Sequence, residues 1–301
     1  MTLPSIDFDR PNILGADLDR HFSDLGFASL QNLNIKPDFL DQVFAASEGF
    51  FLSSTPDAFQ RCRYKSAEEN FGYQGLMEEN LDPTQPADVK ATFTMRNILH
   101  QPPSLDRWPS RAFRDVMVSF YAQALATAHQ LQTEMATVFG LDPEFFVSCH
   151  SGENVTLRLL YYPAIEGEQL DKGQLGAGAH SDYGFLTLLF QKDRGGLEVL
   201  DKENQWLSVP PEPGKVVLNC GDLLERWTCG KYKSTLHRVK PQTGSAPRFS
   251  IAFFVDTDSE TMVSPIAKFA PNGDAAEYPS ILAGEFIQSR LNASHKGRFE
   301  D

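Results

Sequence analysis

Between Val155 and Val255 the chain offers a succession of short β-rich runs: "VTLRLLYYP", "FLTLLFQ", "GLEVLD", "KVVLNCG", "STLHRV" and "RFSIAFFV". Turn signals separate them, at Gly195-Gly196, Pro210-Pro211, Pro213-Gly214 and Gly244-Ser245. Runs this short bury little alone and must pair with one another, and regular punctuation of this kind suits an antiparallel sandwich or barrel. No helix-length apolar pattern lies between the runs, which argues against a parallel α/β sheet.

The flanks read differently. "PDFLDQVFAASEGFFLS" opens on Pro37, a good first helical residue, with Phe39, Leu40, Val43 and Phe44 at helical spacing. Arg111 to Phe139 carries a longer stripe, from Phe113, Met117 and Phe120 to Leu131 and Met135, with Gly140 placed to cap it. "NFGYQGLMEENLDPTQPADVKATF" is polar and rich in Gly and Pro, and reads as loop with short strand pieces. The expected organisation is a helical region over 1–150, a β core over 151–260 and a helical C-terminal segment over 261–301, packed as one unit. The fold class is mainly β with flanking helices.

A formal net charge of −13 and the lack of a dense Lys/Arg cluster exclude a grip on nucleic acid, which needs a basic face to displace counterions. Cys62, Cys149, Cys220 and Cys229 form no CxxC pair and read as reduced thiols. "MTLPSIDFDRPN" lacks the basic start and apolar core of a signal peptide, and no 18-residue apolar run could span a membrane. A cytoplasmic chain with no membrane association is expected, and nothing points to a protein partner.

The chemistry gathers at "GAHSDYGFLTLLFQ". Residues two apart in extended backbone point the same way, so His180 and Asp182, opening the apolar strand, can face one point. His237, inside "STLHRV", is the best third ligand. Two imidazoles and a carboxylate on one side of a metal leave three open positions, as in non-haem iron(II) oxygenases. Taken alone, HxD is equally a polar turn and His237 a partly buried polar residue. Arg248 and Ser250 in "RFS" are again two apart, and the interval from His237 suits one hairpin. A guanidinium there can hold a carboxylate bidentately. His21, His100, His129, His150 and His295 show no comparable partner pattern.

These segments together resemble the iron(II)- and 2-oxoglutarate-dependent dioxygenases of the isopenicillin N synthase-like group. The resemblance rests on "GAHSDYGFLTLLFQ", "VVLNCGDLLERWTCGKYKSTLHRV", "PRFSIAFFV", "LRLLYYP" and "GYQGLMEENLD", from roughly Phe71 to Val255. It implies a double-stranded β-helix (jelly roll) core, with Fe(2+) held by His180, Asp182 and His237. It also implies 2-oxoglutarate held by Arg248, Ser250 and Tyr162, and O2 as co-substrate. Leu160 stands where plant members often carry Asn, so one polar contact there is absent or replaced. The implied activity couples oxidative decarboxylation of 2-oxoglutarate to hydroxylation, desaturation or cyclisation of a small organic molecule. Alternatives are an iron oxidase of the same fold that uses no 2-oxoglutarate, a zinc hydrolase, in which Arg248 and Ser250 have no evident task, and a non-catalytic jelly-roll binding protein. Phe71, Tyr73, Arg96, Arg158, Trp227 and Phe254 are the candidates for contact with the substrate. Arg96 would pair with an acidic group if it faced the cavity.

Overall fold

The computed structural model of the chain describes residues 2–82, 84–165, 170–270 and 277–295. Its strands, in chain order, begin with β1 (Ser5–Asp7), β2 (Phe27–Gln31), β3 (Phe71–Gln74) and β4 (Ala91–Arg96). They continue through β5 (Thr156–Tyr162), β6 (Ala164–Ile165), β7 (Ala177–His180), β8 (Leu186–Gln191) and β9 (Leu197–Leu200). The series ends with β10 (Trp206–Ser208), β11 (Lys215–Cys220), β12 (His237–Val239), β13 (Gln242–Thr243), β14 (Arg248–Val255), β15 (Met262–Val263) and β16 (Ile281–Leu282). The helices are α1 (Pro11–Phe22), α2 (Pro37–Ser53), α3 (Pro56–Arg61), α4 (Arg111–Phe139), α5 (Asp222–Trp227) and α6 (Ala283–His295). Residues 271–276 and 296–301 of the expected C-terminal helical segment lie outside the described residues.

Among the described residues an eight-stranded sheet runs β1-β2-β11-β8-β14-β5-β4-β3, and a four-stranded sheet runs β10-β9-β12-β7. Only the β1–β2 pair of the large sheet is parallel. The mainly β jelly-roll architecture expected from the sequence is the one observed. The first hundred residues depart from the helical reading, because they also supply β1 to β4 of the large sheet. β4 is the clearest case: all six of its residues pair along β5.

β14 shows why these runs are nearly all apolar. Phe249, Ile251, Phe253 and Val255 enter the main core, where α4 packs with Met117, Phe120, Tyr121 and Leu131. Ala252 on the opposite face joins Leu160 and Tyr162 of β5, Ala177 of β7 and Val239 of β12. A strand covered on both faces has few water-facing positions, so strand alternation does not appear as polar alternation. The same opposite face brings the two sheets together. A second cluster joins them through Phe27 and Val217 of the large sheet and Leu197 and Val199 of the small one.

Helix α4 has the expected bounds. Ser110 Oγ accepts from the Phe113 N–H at 3.1 Å, and Gly140 closes the helix at φ 76° in the left-handed region. At its start an aromatic cluster forms between helices and sheet: Phe93 of β4 meets Phe50, Phe71 and Phe113 edge-on at 5.0–5.4 Å between centroids. No described helix is long and apolar enough to cross a membrane. Because Phe93 is fully buried among these rings, Phe93→Ala should cost about 3–5 kcal/mol of stability, the usual range for emptying a core aromatic site. The measurement is the urea midpoint at unchanged slope; a loss below about 1 kcal/mol would show that the ring is not packed as described.

Candidate active site

The HxD segment does not open a strand as expected. His180 ends β7 in the small sheet, and Asp182 lies in the crossing to β8 of the large sheet. His237 begins β12 directly opposite His180, the two paired in register. Antiparallel pairing therefore places the two imidazoles side by side, 4.3 Å between centroids. Each Nδ1 meets a backbone carbonyl, Gly178 at 2.7 Å for His180 and Thr235 at 3.1 Å for His237. With Nδ1–H donated there, the Nε2 lone pair of each ring is free for a ligand. Both Nε2 atoms turn toward Asp182 Oδ1, at 3.9 Å and 3.7 Å.

Asp182 Oδ2 is occupied: it accepts from Thr187 Oγ1 at 2.6 Å and Asn219 Nδ2 at 2.7 Å. One carboxylate oxygen is thus anchored and the other faces the imidazoles. Burial opposes ionisation of Asp182, but the imidazoles, the amide and the hydroxyl outweigh it and hold the carboxyl below its usual range. Burial, aided by His237, pulls His180 down to about 3 and keeps it neutral. The three residues bring potential ligand atoms within 4.8 Å of one another. Two imidazoles with oriented Nε2 atoms, an ionised carboxylate and fixed orienting partners fit a divalent cation of the iron type.

The triad opens on a cavity of about 270 Å³ between the sheets. Arg248, Ser250, Ala252 and Phe254, alternate residues of β14, line it, as do Arg158, Leu160 and Tyr162 of β5. Arg248 is completely buried. Its Nη1 donates to Ser250 Oγ and its Nη2 to Gln191 Oε1, both at 3.0 Å, and the guanidinium lies 4.8 Å from the centre of the Tyr162 ring. Its Nε has no hydrogen-bond partner and no carboxylate pairs with it among the described residues. A buried guanidinium without a counter-charge is costly and lacks an anion. A carboxylate of 2-oxoglutarate fits that need. The expected hairpin is not what brings Arg248 near His237: β12 and β14 belong to different sheets, so the two approach across the sandwich.

The remaining candidates divide. Arg158 and Phe254 line the cavity. Phe71, Tyr73, Arg96 and Trp227 do not. Phe71 is buried against Phe93 and Trp108, and Tyr73 packs on Phe50 and Phe59. Trp227 sits in the core with Phe146 and Phe185. The Arg96 guanidinium donates to the Glu68 carbonyl outside the cavity, which removes the reason for expecting an acidic substrate there.

Several groups in and around the cavity went unnoticed in the sequence. Thr187 and Gln191 are polar breaks at even spacing in "FLTLLFQ", and Asn219 is a similar break in "VVLNC"; those interruptions were the available signal. Lys90 is buried, 2.6 Å from Asp88 Oδ2 and 3.7 Å from Glu79 Oε2, and Glu79 also pairs with Arg158. Asp88 further accepts from the Gly178 N–H at 2.8 Å and the Leu81 N–H at 3.2 Å. At the mouth, Arg290 of α6 donates to Ser181 Oγ at 3.0 Å, pairs with Asp222 at 3.2 Å and lies over the Tyr183 ring. Asp256 also faces the cavity; burial, then the Asp182 charge, push its carboxyl up to about 7.

Similarity to known proteins agrees with this arrangement. Residues 153–257 match the model of the 2OG-Fe(II) oxygenase superfamily, and residues 3–114 match that of the N-terminal region of non-haem dioxygenases in morphine synthesis. A UPF0676 protein of Schizosaccharomyces pombe is 34% identical over 90% of this chain and 85% of its own. The 2-oxoglutarate-dependent dioxygenase citB of Monascus ruber is 32% identical over 90% of this chain and 86% of its own. A full-length Neurospora crassa protein, solved in complex with alpha-KG and thymine, superposes with a TM-score of 0.86 at 30% identity, covering 97% of each chain. With relatives matching over nearly their whole length and a cavity that joins a cation-type donor set to an unpaired guanidinium, the chain belongs to the 2OG-Fe(II) oxygenase superfamily and is an iron(II)- and 2-oxoglutarate-dependent oxidoreductase.

Proposed function

We propose that His180, Asp182 and His237 hold the iron, that Arg248 and Ser250 bind the distal carboxylate of 2-oxoglutarate with Tyr162 beside them, and that the remaining cavity receives a small organic substrate for hydroxylation, desaturation or cyclisation. The observation that carries this is the meeting of two unlike groups on one cavity wall. Three donor atoms converge on a single point, and a buried guanidinium has no carboxylate against it among the described residues. Iron(II) with 2-oxoglutarate and O2 supplies the oxidising power, and 2-oxoglutarate becomes succinate and CO2.

The chain's own residues then act by position. The Gly178 and Thr235 carbonyls hold the imidazole tautomers, and Thr187 with Asn219 fixes the Asp182 carboxylate plane. Arg248 anchors the co-substrate from the far side, with Gln191 and Ser250 keeping the guanidinium from rotating. Leu160, Leu189 and Ala252 give that part of the cavity apolar walls that exclude water. A zinc hydrolase reading leaves Arg248 without a task. The four cysteines stand free, which suits a reducing compartment such as the cytoplasm. The net charge of −13 continues to disfavour nucleic acid as substrate.

Substitution His237→Ala should remove high-affinity iron(II) or cobalt(II) binding, read as metal retained after dialysis; retention at the level of the unaltered chain would sink the ligand assignment. Arg248→Met should weaken 2-oxoglutarate by about a hundredfold, the scale of a lost buried charge-assisted pair. Anaerobic titration of the iron(II) protein, followed by the weak visible band of a metal-bound 2-keto acid, measures it. Unchanged affinity would count against the Arg248 role. Mixing the iron(II) protein, 2-oxoglutarate and O2 should release succinate, and Arg248→Met should lower that release in parallel.

A further inference from the structure

The alternation that places Arg248, Ser250, Ala252 and Phe254 on the cavity wall continues one step past β14 to Asp256. Asp256 therefore lies at the opposite end of this row from Arg248. Gly184, two residues beyond Asp182, stands so close to it that a Cβ there would collide with Asp256 Oδ1. The carboxyl is thus held against the loop that carries the metal-site aspartate. It makes no hydrogen bond and no ion pair among the described residues. Burial and the Asp182 charge oppose its ionisation, and Arg96, whose guanidinium is engaged with the Glu68 carbonyl, favours it only through space.

The other charges around the cavity have partners. Lys90 and Arg158 are matched by Asp88 and Glu79. At the mouth Arg290 is matched by Asp222. In the proposed reading, iron(II), Asp182, 2-oxoglutarate and Arg248 neutralise one another. Asp256 is the carboxyl left over, and the aromatic rings of Phe254 and Tyr183 line the same cavity. A buried carboxyl whose ionised form has no partner is stabilised as the anion by a bound cation, and aromatic faces on the same cavity attract that cation through their ring quadrupoles.

We infer that the substrate is an amine, bound with its protonated nitrogen against Asp256 and its carbon skeleton toward Phe254 and Tyr183. This rests on the oxygenase reading for the positions of metal and co-substrate, and it adds the chemical class of the molecule oxidised. Asp256 is a specificity-determining residue in this scheme, and alcohols or carboxylic acids of the same shape lack the charge it needs.

The test uses the full chain loaded with iron(II) under argon, with and without 2-oxoglutarate, and three matched probes: benzylamine, benzyl alcohol and benzoate. Calorimetric titration should give benzylamine an affinity at least about tenfold above benzyl alcohol, with benzoate weaker still, as expected of a charge-assisted contact in a closed site. Asp256→Asn should bring benzylamine down to the level of benzyl alcohol, and Phe254→Leu should weaken benzylamine more than benzyl alcohol. The inference is overturned if benzylamine binds no better than benzyl alcohol or benzoate, or fails to bind, or if Asp256→Asn keeps the preference. The ranking on the unaltered chain decides the matter even if Asp256→Asn does not fold. Failure of 2-oxoglutarate to bind would instead strike the assignments of Arg248 and Ser250, because the probe ranking is also read without it.

Discussion

The two-residue period of the central strands is the constraint on which everything else depends. On β14 odd residues pack under α4 and even residues wall the cavity, so one eight-residue strand is both core and active-site scaffold. A shift of register by one residue would carry Arg248 and Ser250 into the apolar core and turn Phe249 and Ile251 toward the cavity. β14 is held from both sides, by β5 and by β8, along nearly its whole length. The precision of the site comes from that clamped register, since sites on paired strands are held more tightly than sites on loops.

The second dependence is electrostatic. Burying Asp182 would be expensive without partners, since an isolated ionised carboxylate loses its hydration. Thr187 and Asn219 supply two hydrogen bonds and leave a single oxygen facing the imidazoles. Both donors come from strands of the large sheet, while both histidines belong to the small one. The site is therefore a seam between sheets, and each sheet brings what the other lacks. This is also why Arg248, on the large sheet, comes close to histidines on the small sheet.

Much of this was legible in the sequence because the residues proposed to do the chemistry come in pairs with short spacing. His180-x-Asp182 and Arg248-x-Ser250 survive any local error about strand or loop, since two-residue spacing in extended backbone keeps both side chains on one side. Helix α4 was legible at its C-terminal end because Gly140 marks it chemically, while the Ser110 cap at its start went unread. What failed was the question of which face a lone residue takes. Phe71, Tyr73 and Trp227 are aromatic for the core, and nothing in their neighbourhoods distinguishes that from a cavity wall. Arg96 closes a run that does read as β-like, and nothing beside it tells which way its side chain turns. Sheet membership was equally hidden: the short interval between His237 and Arg248 suggested a hairpin, whereas the chain uses it to change sheets.

The buried group formed by Lys90, Asp88, Glu79 and Arg158 ties the 79–81 segment of the cavity wall to both sheets. Asp88 holds Gly178 of β7 and Leu81 at once, while Glu79 pairs with Arg158 of β5. Moving that segment would leave Arg158 without its counter-charge, while Lys90 would keep Asp88 at 2.6 Å. Leaving a buried charge without its partner costs about 3–5 kcal/mol, so the segment is held against both sheets. Beside Tyr183, by contrast, Arg290 is held by a half-exposed pair to Asp222, which is worth far less. The two sides of the cavity are therefore fastened unequally, firmly at the 79–81 segment and loosely at α6.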